Sequence, residues 1–282
     1  MTGLVWLASY PKSGNTWLRL LLANLLSGQD TPADINRIEL NSRSLVRRDA
    51  IDEAAQIDSD LLTRDEADRL RARLTEDFAA ELDASNRDAF VKVHDAYRHR
   101  ADGTAPFGLR PARAAVYMLR DPRDVAVSLA WHNGSTIAEA ICEMADADHV
   151  LSRNRNRRSA QLTQRVSDWS GHVLSWTRQR DVPLLLVRYE DLLADPVRRF
   201  ETVVRFLGIP ATTEHVARAV RFSAFAELQD QEARNGFLER QSPDAPFFRS
   251  GRAGAWAEVL TPAQAASIAS AHRAVMAAFG YV

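Results

Sequence analysis

The sequence has very little lysine: of its 36 basic residues 34 are arginine, and Lys12 and Lys92 are the only ammonium side chains. A chain that uses guanidinium for nearly every solvated positive charge keeps lysine where a compact, strongly hydrated ammonium does what a planar fork cannot. Cysteine is almost missing as well. Cys142 stands alone, which rules out an internal disulfide and fits a reducing compartment. No apolar run approaches membrane-spanning length, and no basic stretch with a cleavable apolar segment opens the chain, so a cytoplasmic protein without membrane insertion is expected. A strong excess of one charge is also absent. The net charge of -1 and pI near 6.7 argue against a general nucleic-acid binder, and any anion site must be local. Nothing marks a linker, so residues 1–282 are expected to form a single domain around one large core.

What is present begins at Leu4 to Leu26. Leu4 to Ala8 is an apolar run of strand length, Ser9 to Asn15 supplies turn residues, and apolar positions from Trp17 to Leu26 recur at helical spacing. Where a loop closes directly onto a helix start, backbone N–H groups converge and the helix dipole adds partial positive charge, so phosphate or sulfate is the expected guest. Lys12 adds a full charge there. The turn is not the triphosphatase pattern G-x-x-x-x-G-K-[ST], because Lys12 precedes Gly14 and no glycine opens the loop. Tyr10-Pro11-Lys12-Ser13-Gly14-Asn15-Thr16-Trp17 instead resembles the 5′-phosphosulfate loop of sulfotransferases that use 3′-phosphoadenosine 5′-phosphosulfate (PAPS).

Four further blocks follow in that family's order. Ala89 to Val93 reads as a second buried strand delivering His94 at its C-terminal end, the edge where open α/β sheets bind ligands. Imidazole titrates near neutral pH, which suits His94 as general base for an acceptor hydroxyl. Val91-Lys92-Val93-His94 resembles the family's K-x-H segment, which implies that Lys92 supports the transferring sulfuryl group. After a third strand, Ala114 to Leu119, the stretch Arg120 to Ser128 places a cation and a hydroxyl around one helix start, with Pro122 near its first turn. It resembles the 3′-phosphate segment and assigns Arg120 and Ser128 to that phosphate, although Arg120 read alone could equally pair with a carboxylate.

A fourth strand, Leu184 to Val187, leads into Arg188-Tyr189-Glu190-Asp191-Leu192. An acidic pair after a strand could hold magnesium, as a kinase would need; the resemblance to the R-Y-E-D-L block implies instead that Tyr189 lies near adenine and the acids hold the scaffold. Phe225 matches the aromatic cover for adenine opposite Trp17. Arg249-Ser250-Gly251-Arg252-Ala253-Gly254-Ala255-Trp256 resembles the R-K-G-x-x-G-x-W segment, where Arg249 forks onto a phosphate and Gly251 lets backbone approach it. Ser250 stands where lysine is usual and Ala257 where another lysine often follows the tryptophan, which implies either a looser hold on the 3′-phosphate or compensation by Arg252.

Between these blocks the pattern predicts loop with short helical pieces over 28–62, a capped helix from Thr63 to Asn86, a surface loop over 96–113 and helices from Asp121 to about Trp131 and Ile137 to Ala145. A solvated, mobile lid is expected at 146–160 around Arg153, Arg155, Arg157 and Arg158, then helix from Gln161 to Arg180, Pro196 to Leu207 and Ala263 to Phe279. Tyr97, Phe107, Phe237, Phe247 and Phe248 lean toward an apolar or aromatic acceptor.

The expectation is an α/β protein with a central parallel sheet flanked by helices, similar to the P-loop nucleotide-binding fold. The resemblance implies in-line transfer of a sulfuryl group from PAPS to a hydroxyl or amine of a small-molecule acceptor. His94 would be the base, Lys12 and Lys92 would stabilise developing charge with N–H groups of Ser13 to Thr16, and no metal is called for. The desulfated product would be adenosine 3′,5′-bisphosphate (PAP). A nucleotide-dependent kinase using Asp191 and a non-catalytic nucleotide binder are the rival readings. Acceptor identity and oligomeric state stay open, a homodimer among the options.

Overall fold

The computed structural model describes residues 2–108, 112–152, 160–241 and 245–282. Its centre is a parallel sheet. In chain order, β1 (Leu4–Ser9) runs through the turn into α1 (Asn15–Ser27), and α2 (Arg48–Ala55) and α3 (Arg64–Ser85) lead to β2 (Ala89–Val93). Then come β3 (Ala114–Leu119), α4 (Pro122–Asn133), α5 (Ile137–Ala145), the short pair β4 (Val150–Leu151) and β5 (Gln164–Arg165), α6 (Trp169–Arg178) and β6 (Leu184–Arg188). The chain closes with α7 (Tyr189–Ala194), α8 (Pro196–Phe206), α9 (Thr213–Phe222), α10 (Phe225–Asn235) and α11 (Pro262–Ala278). Sheet order is β2-β1-β3-β6, all parallel.

β1 and β3 are buried along their whole length, as strands with both faces covered must be. Successive side chains point to opposite faces, which divides the core in two. Trp6, Ala8, Val91, Val93, Tyr117 and Leu119 pack on one side with Phe78, Val125, Trp169, Trp176 and Ile268 from the helices there. Val5, Leu7, Phe90, Val116 and Met118 face the other side, against Leu18, Leu22, Leu192, Phe200 and Val216. Removing a large ring such as Trp6 from this packing would cost about 3–5 kcal/mol.

Three sequence expectations need correction. The helix expected from Gln161 begins only at Trp169: Gln164 and Arg165 pair antiparallel with Leu151 and Val150, and the N–H groups of Val166 and Ser167 both donate to the His149 carbonyl. Asp168 then caps α6 by accepting from the Gly171 N–H at 2.7 Å. Trp169, Val173 and Trp176 keep their helical spacing, whereas Val166 falls on that period by coincidence.

The surface loop at 96–113 is core at Tyr97 and Phe107. Phe107 packs 4.8 Å from the Trp6 ring, and both rings lie near Trp176, so neither lines an acceptor pocket. The third difference is an omission, since α10 carries Phe225 at its start and had no periodic signal strong enough to announce it. The lid expected around Arg153 to Arg158 lies outside the described residues. Short helical pieces in 28–62 and the Thr63 capping box with Glu66 are present as expected.

Candidate active site

Register brings the chemistry to one edge. Leu7 is paired with Lys92 and Ala8 with Val93, so the residues after β1 and β2, the turn from Tyr10 and His94, leave the sheet side by side. Ser9 pairs with Met118 and Leu119 with Arg188, which sets Arg120 and Tyr189 along the same C-terminal edge.

The turn is tight because two residues take left-handed backbone, Lys12 at φ 64° and Gly14 at φ 98°. A Cβ on Gly14 would lie 2.8 Å from Cδ2 of Tyr189, so only glycine lets the turn nest against that ring. Gly14 is also the N-cap of α1, with no side chain capping the helix and no acid in its first turn. The first N–H groups of α1 thus keep their donor capacity for an anion. Asn15 contributes only backbone there, because its side-chain amide donates to the Leu7 carbonyl at 2.7 Å and to Ser9 Oγ at 3.2 Å.

Cations gather around this turn. Lys12 Nζ sits 3.9 Å from the centroid of the Phe247 ring, and burial together with Lys92 pulls its pKa down to about 7. Burial also lowers Lys92, an effect opposed by Glu239, whose Oε2 is 3.2 Å from Lys92 Nζ. Arg120 is 8% exposed and donates only to carbonyls, of Lys12 and Arg252, each at 3.2 Å, while its guanidinium lies over the Tyr189 ring at 4.3 Å. No carboxylate pairs with it among the described residues. A buried guanidinium without a counter-ion is costly unless an anion visits it. Buried Arg120 Nε and Ser13 Oγ have no hydrogen-bond partner, two orphaned donors at the same place.

His94 faces this cluster in a defined tautomer. Its Nδ1 lies 2.8 Å from the Ser9 carbonyl, which can only accept, so Nδ1 carries the proton and Nε2 keeps its lone pair. Burial, then Lys92, lowers the imidazole pKa to about 3, so the ring is neutral through the physiological range. Behind it, His172 Nε2 donates to the His94 carbonyl at 3.1 Å and Tyr117 Oη donates to His172 Nδ1 at 2.7 Å. This buried chain fixes the backbone at His94.

These features suit binding of a phosphorylated, anionic group beside a neutral imidazole, and comparison with known proteins names the family. The family model described as "Sulfotransferase domain" matches residues 3–280. The chain belongs to the sulfotransferase family. Cytosolic sulfotransferase 16 of Arabidopsis thaliana is 24% identical over 276 residues, 92% of this chain and 72% of that protein. Sulfotransferase 2B1 of Mus musculus is 30% identical over 166 residues, 57% of this chain and 47% of that protein. Among solved structures, mouse sulfotransferase SULT7A1 complexed with PAP has a TM-score of 0.58 at 20% identity, covering 97% of this chain and 84% of that one. Retinol dehydratase in a complex with retinol and PAP has a TM-score of 0.59 at 20% identity, covering 98% and 82%. The parallel sheet with helices on both faces is thus the sulfotransferase fold.

The remaining expected residues of this sulfotransferase surround the cluster. Ser128 and Arg249 line one cleft with Lys12, Trp131, His132 and Phe247, and Arg249 lies 5.7 Å from the Trp131 ring centroid. Asp124, at the start of α4, accepts from the Gly254 N–H at 2.7 Å and the Trp256 N–H at 2.9 Å, tying the glycine-rich block to the helix that follows Arg120. Ser250 precedes Gly251, whose φ is 59° and where an added Cβ would come within 2.5 Å of the Phe225 ring, so only glycine fits. Trp17 donates from Nε1 to the Ser223 carbonyl and meets Tyr189 edge to face at 5.6 Å. The Arg252 guanidinium forks onto Glu258 at 2.8 and 3.1 Å.

The acids of the R-Y-E-D-L block are engaged in the scaffold. Glu190 accepts from the Asp121 N–H and from Tyr281 Oη, both at 2.9 Å, and Asp191 lies 3.8 Å from Arg188. Among the described residues no cluster of three or more metal-ligating side chains exists, and no helix is long and apolar enough to cross a membrane.

Sequence reasoning missed Glu239, Arg19 and the Tyr117–His172 pair. Glu239 follows a helix without pattern of its own, and nothing in its neighbourhood of the sequence signals that it meets Lys92. Tyr117 lies in the expected third strand and His172 in the expected helix, with no local signal that they pair.

Proposed function

We propose that this sulfotransferase takes its sulfuryl group from PAPS and passes it to a hydroxyl or amine of a small-molecule acceptor, releasing PAP. The donor supplies the activated sulfur; the chain supplies placement and charge. Ser13 to Thr16 offer loop N–H groups, and Lys12 and Lys92 meet the negative charge of the sulfuryl and 5′-phosphate ends. Arg120, Ser128 and Arg249, with backbone at Ser250 and Gly251, take the 3′-phosphate. Trp17, Tyr189 and Phe225 form the aromatic surroundings of the purine. His94 Nε2 accepts the acceptor's proton as the acceptor attacks. A single domain and a cytoplasmic location belong to the same reading.

The observation that carries it is the juxtaposition of an imidazole with a free Nε2 lone pair and two lysines beside a turn whose buried donors lack partners. The carboxylates a magnesium-dependent kinase would need hold Asp121, Tyr281 and Arg188 instead. Calorimetry with PAP and a transfer assay on His94→Ala test the proposal together. The variant should bind PAP as the parent does yet lose at least ~10²-fold in transfer rate to a positioned general base. No PAP binding by the parent protein, or an unchanged rate in the variant, rejects the assignment.

A further inference from the structure

Glu239 meets a set of partners that nothing in the transfer mechanism requires. Its carboxylate receives Arg19, Lys92 Nζ at 3.2 Å and Thr16 Oγ1 at 3.3 Å. Lys92 and Thr16 are both groups assigned above to the donor, and Arg19 lies one turn along α1 from Gly14. A carboxylate and a sulfuryl group are both oxyanions that recruit the same N–H and O–H donors. With Lys12, Lys92, Arg19 and Arg120 gathered in one place, the site without a ligand carries strong mutual repulsion, which Glu239 relieves. Burial pushes its pKa up, but Lys92 and Arg19 outweigh burial and hold it at about 2.

The contact is exchangeable. The Arg19, Lys92 and Glu239 side chains are 16%, 35% and 29% exposed, unlike the structural pair Arg71–Asp95 at 5% and 6%. Glu239 lies outside regular secondary structure, next to Leu238 at 82% exposure, while buried Phe237 anchors the chain just before it. The side chain can therefore leave by rotation while the backbone stays in place.

We propose that Glu239 sets the selectivity of the donor site: its carboxylate holds the place the sulfuryl group must take, so PAPS has to expel it and PAP does not. This rests on the PAPS reading above. PAP has no sulfuryl group, so the Lys92–Glu239 contact survives its binding and only the long Thr16 contact yields. Occupation of the place by Glu239 lowers apparent PAPS affinity by the fraction of molecules in which the carboxylate is withdrawn; withdrawal in a tenth of molecules gives about a tenfold penalty.

The test is calorimetry of PAP and of PAPS, each without acceptor, on the parent protein, Glu239→Gln and Glu239→Asp. Glutamine keeps the shape and removes the charge; aspartate keeps the charge. The expected result is PAPS affinity rising about tenfold or more in Glu239→Gln, with PAP changing by less than about threefold, and the parent PAPS-to-PAP ratio retained more closely in Glu239→Asp. Equal tightening of both ligands would mean that Glu239 acts only as general background charge, and unchanged or weakened PAPS binding would make it only a brace for Lys92. Either result overturns the proposal. Absence of binding of both nucleotides to the parent protein would reject the donor assignment itself.

Discussion

Lys12 should make nucleotide binding depend on pH, and the structure sets the size of the effect. Its ammonium is half-buried beneath Phe247, with Lys92 as a like-charged neighbour, and its pKa falls to about 7. In the free protein it is therefore charged below pH 7 and increasingly neutral above. A phosphate arriving beside it binds the charged form, so affinity should be nearly flat below pH 6 and fall by about tenfold per unit above pH 7, until the raised pKa of the bound state is reached. From pH 7 to 9 this is up to ~50-fold, or about 2.3 kcal/mol. Calorimetry of PAP between pH 7 and 9, in buffers of different ionisation enthalpy, reads the same event as proton uptake approaching one per nucleotide. The phosphates of PAP are already ionised in that range. Lys12→Arg is the control, because guanidinium does not titrate there and should flatten the curve even if affinity drops. Zero proton uptake at pH 8, or an identical slope in Lys12→Arg, would refute the reasoning.

Two further outcomes follow from the same geometry. Gly14→Ala forces a Cβ at φ 98° to within 2.8 Å of Tyr189 and 3.2 Å of the Met118 methyl, so a loss of about 1–3 kcal/mol in denaturant unfolding should accompany weakened PAP binding. An unchanged midpoint with parent affinity would show that the turn relaxes freely. His172 is fully buried, and burial lowers its pKa to about 3. The unfolded chain takes up that proton near pH 6.5 and the folded one does not, so stability is complete above pH 6.5 and falls by ~1.4 kcal/mol per unit as pH drops from there toward 3. Unfolding of the parent against His172→Gln between pH 4 and 7 measures it; equal pH slopes would contradict the neutral, buried histidine.

How much of this was legible follows the range of each interaction. The strand of β1, the turn and α1 are local, and apolar period, turn residues and Thr63–Glu66 capping all appear in the chain as they appear in the fold. The place of His94 was readable because it follows a strand of the parallel sheet, at the edge where such sheets bind ligands. What was hidden depends on contacts far along the chain. The extended pairing of Gln164 and Arg165 comes from a partner strand, not from their own propensity. Tyr97 and Phe107 are aromatic residues in a segment with no period, and only the Trp6 and Trp176 rings make them core. Glu239 and Arg19 are separated by 220 residues, so their pairing has no local signature.

The scarcity of lysine acquires a physical meaning in this setting. Arg120 is buried yet always charged, which suits a group meant to hold an anion without taking part in a proton balance. Lys12 and Lys92 are different, because burial shifts an ammonium toward neutrality and an arriving or departing anion shifts it back. On the proposed reading, their charge would respond to occupancy of the site. Arginine at position 12 would keep a fixed charge and present a larger planar group under the Phe247 ring, in a turn whose backbone is already in the left-handed region. A chain that had lost lysine from every solvated position would still have reason to keep these two, since neither task transfers to guanidinium.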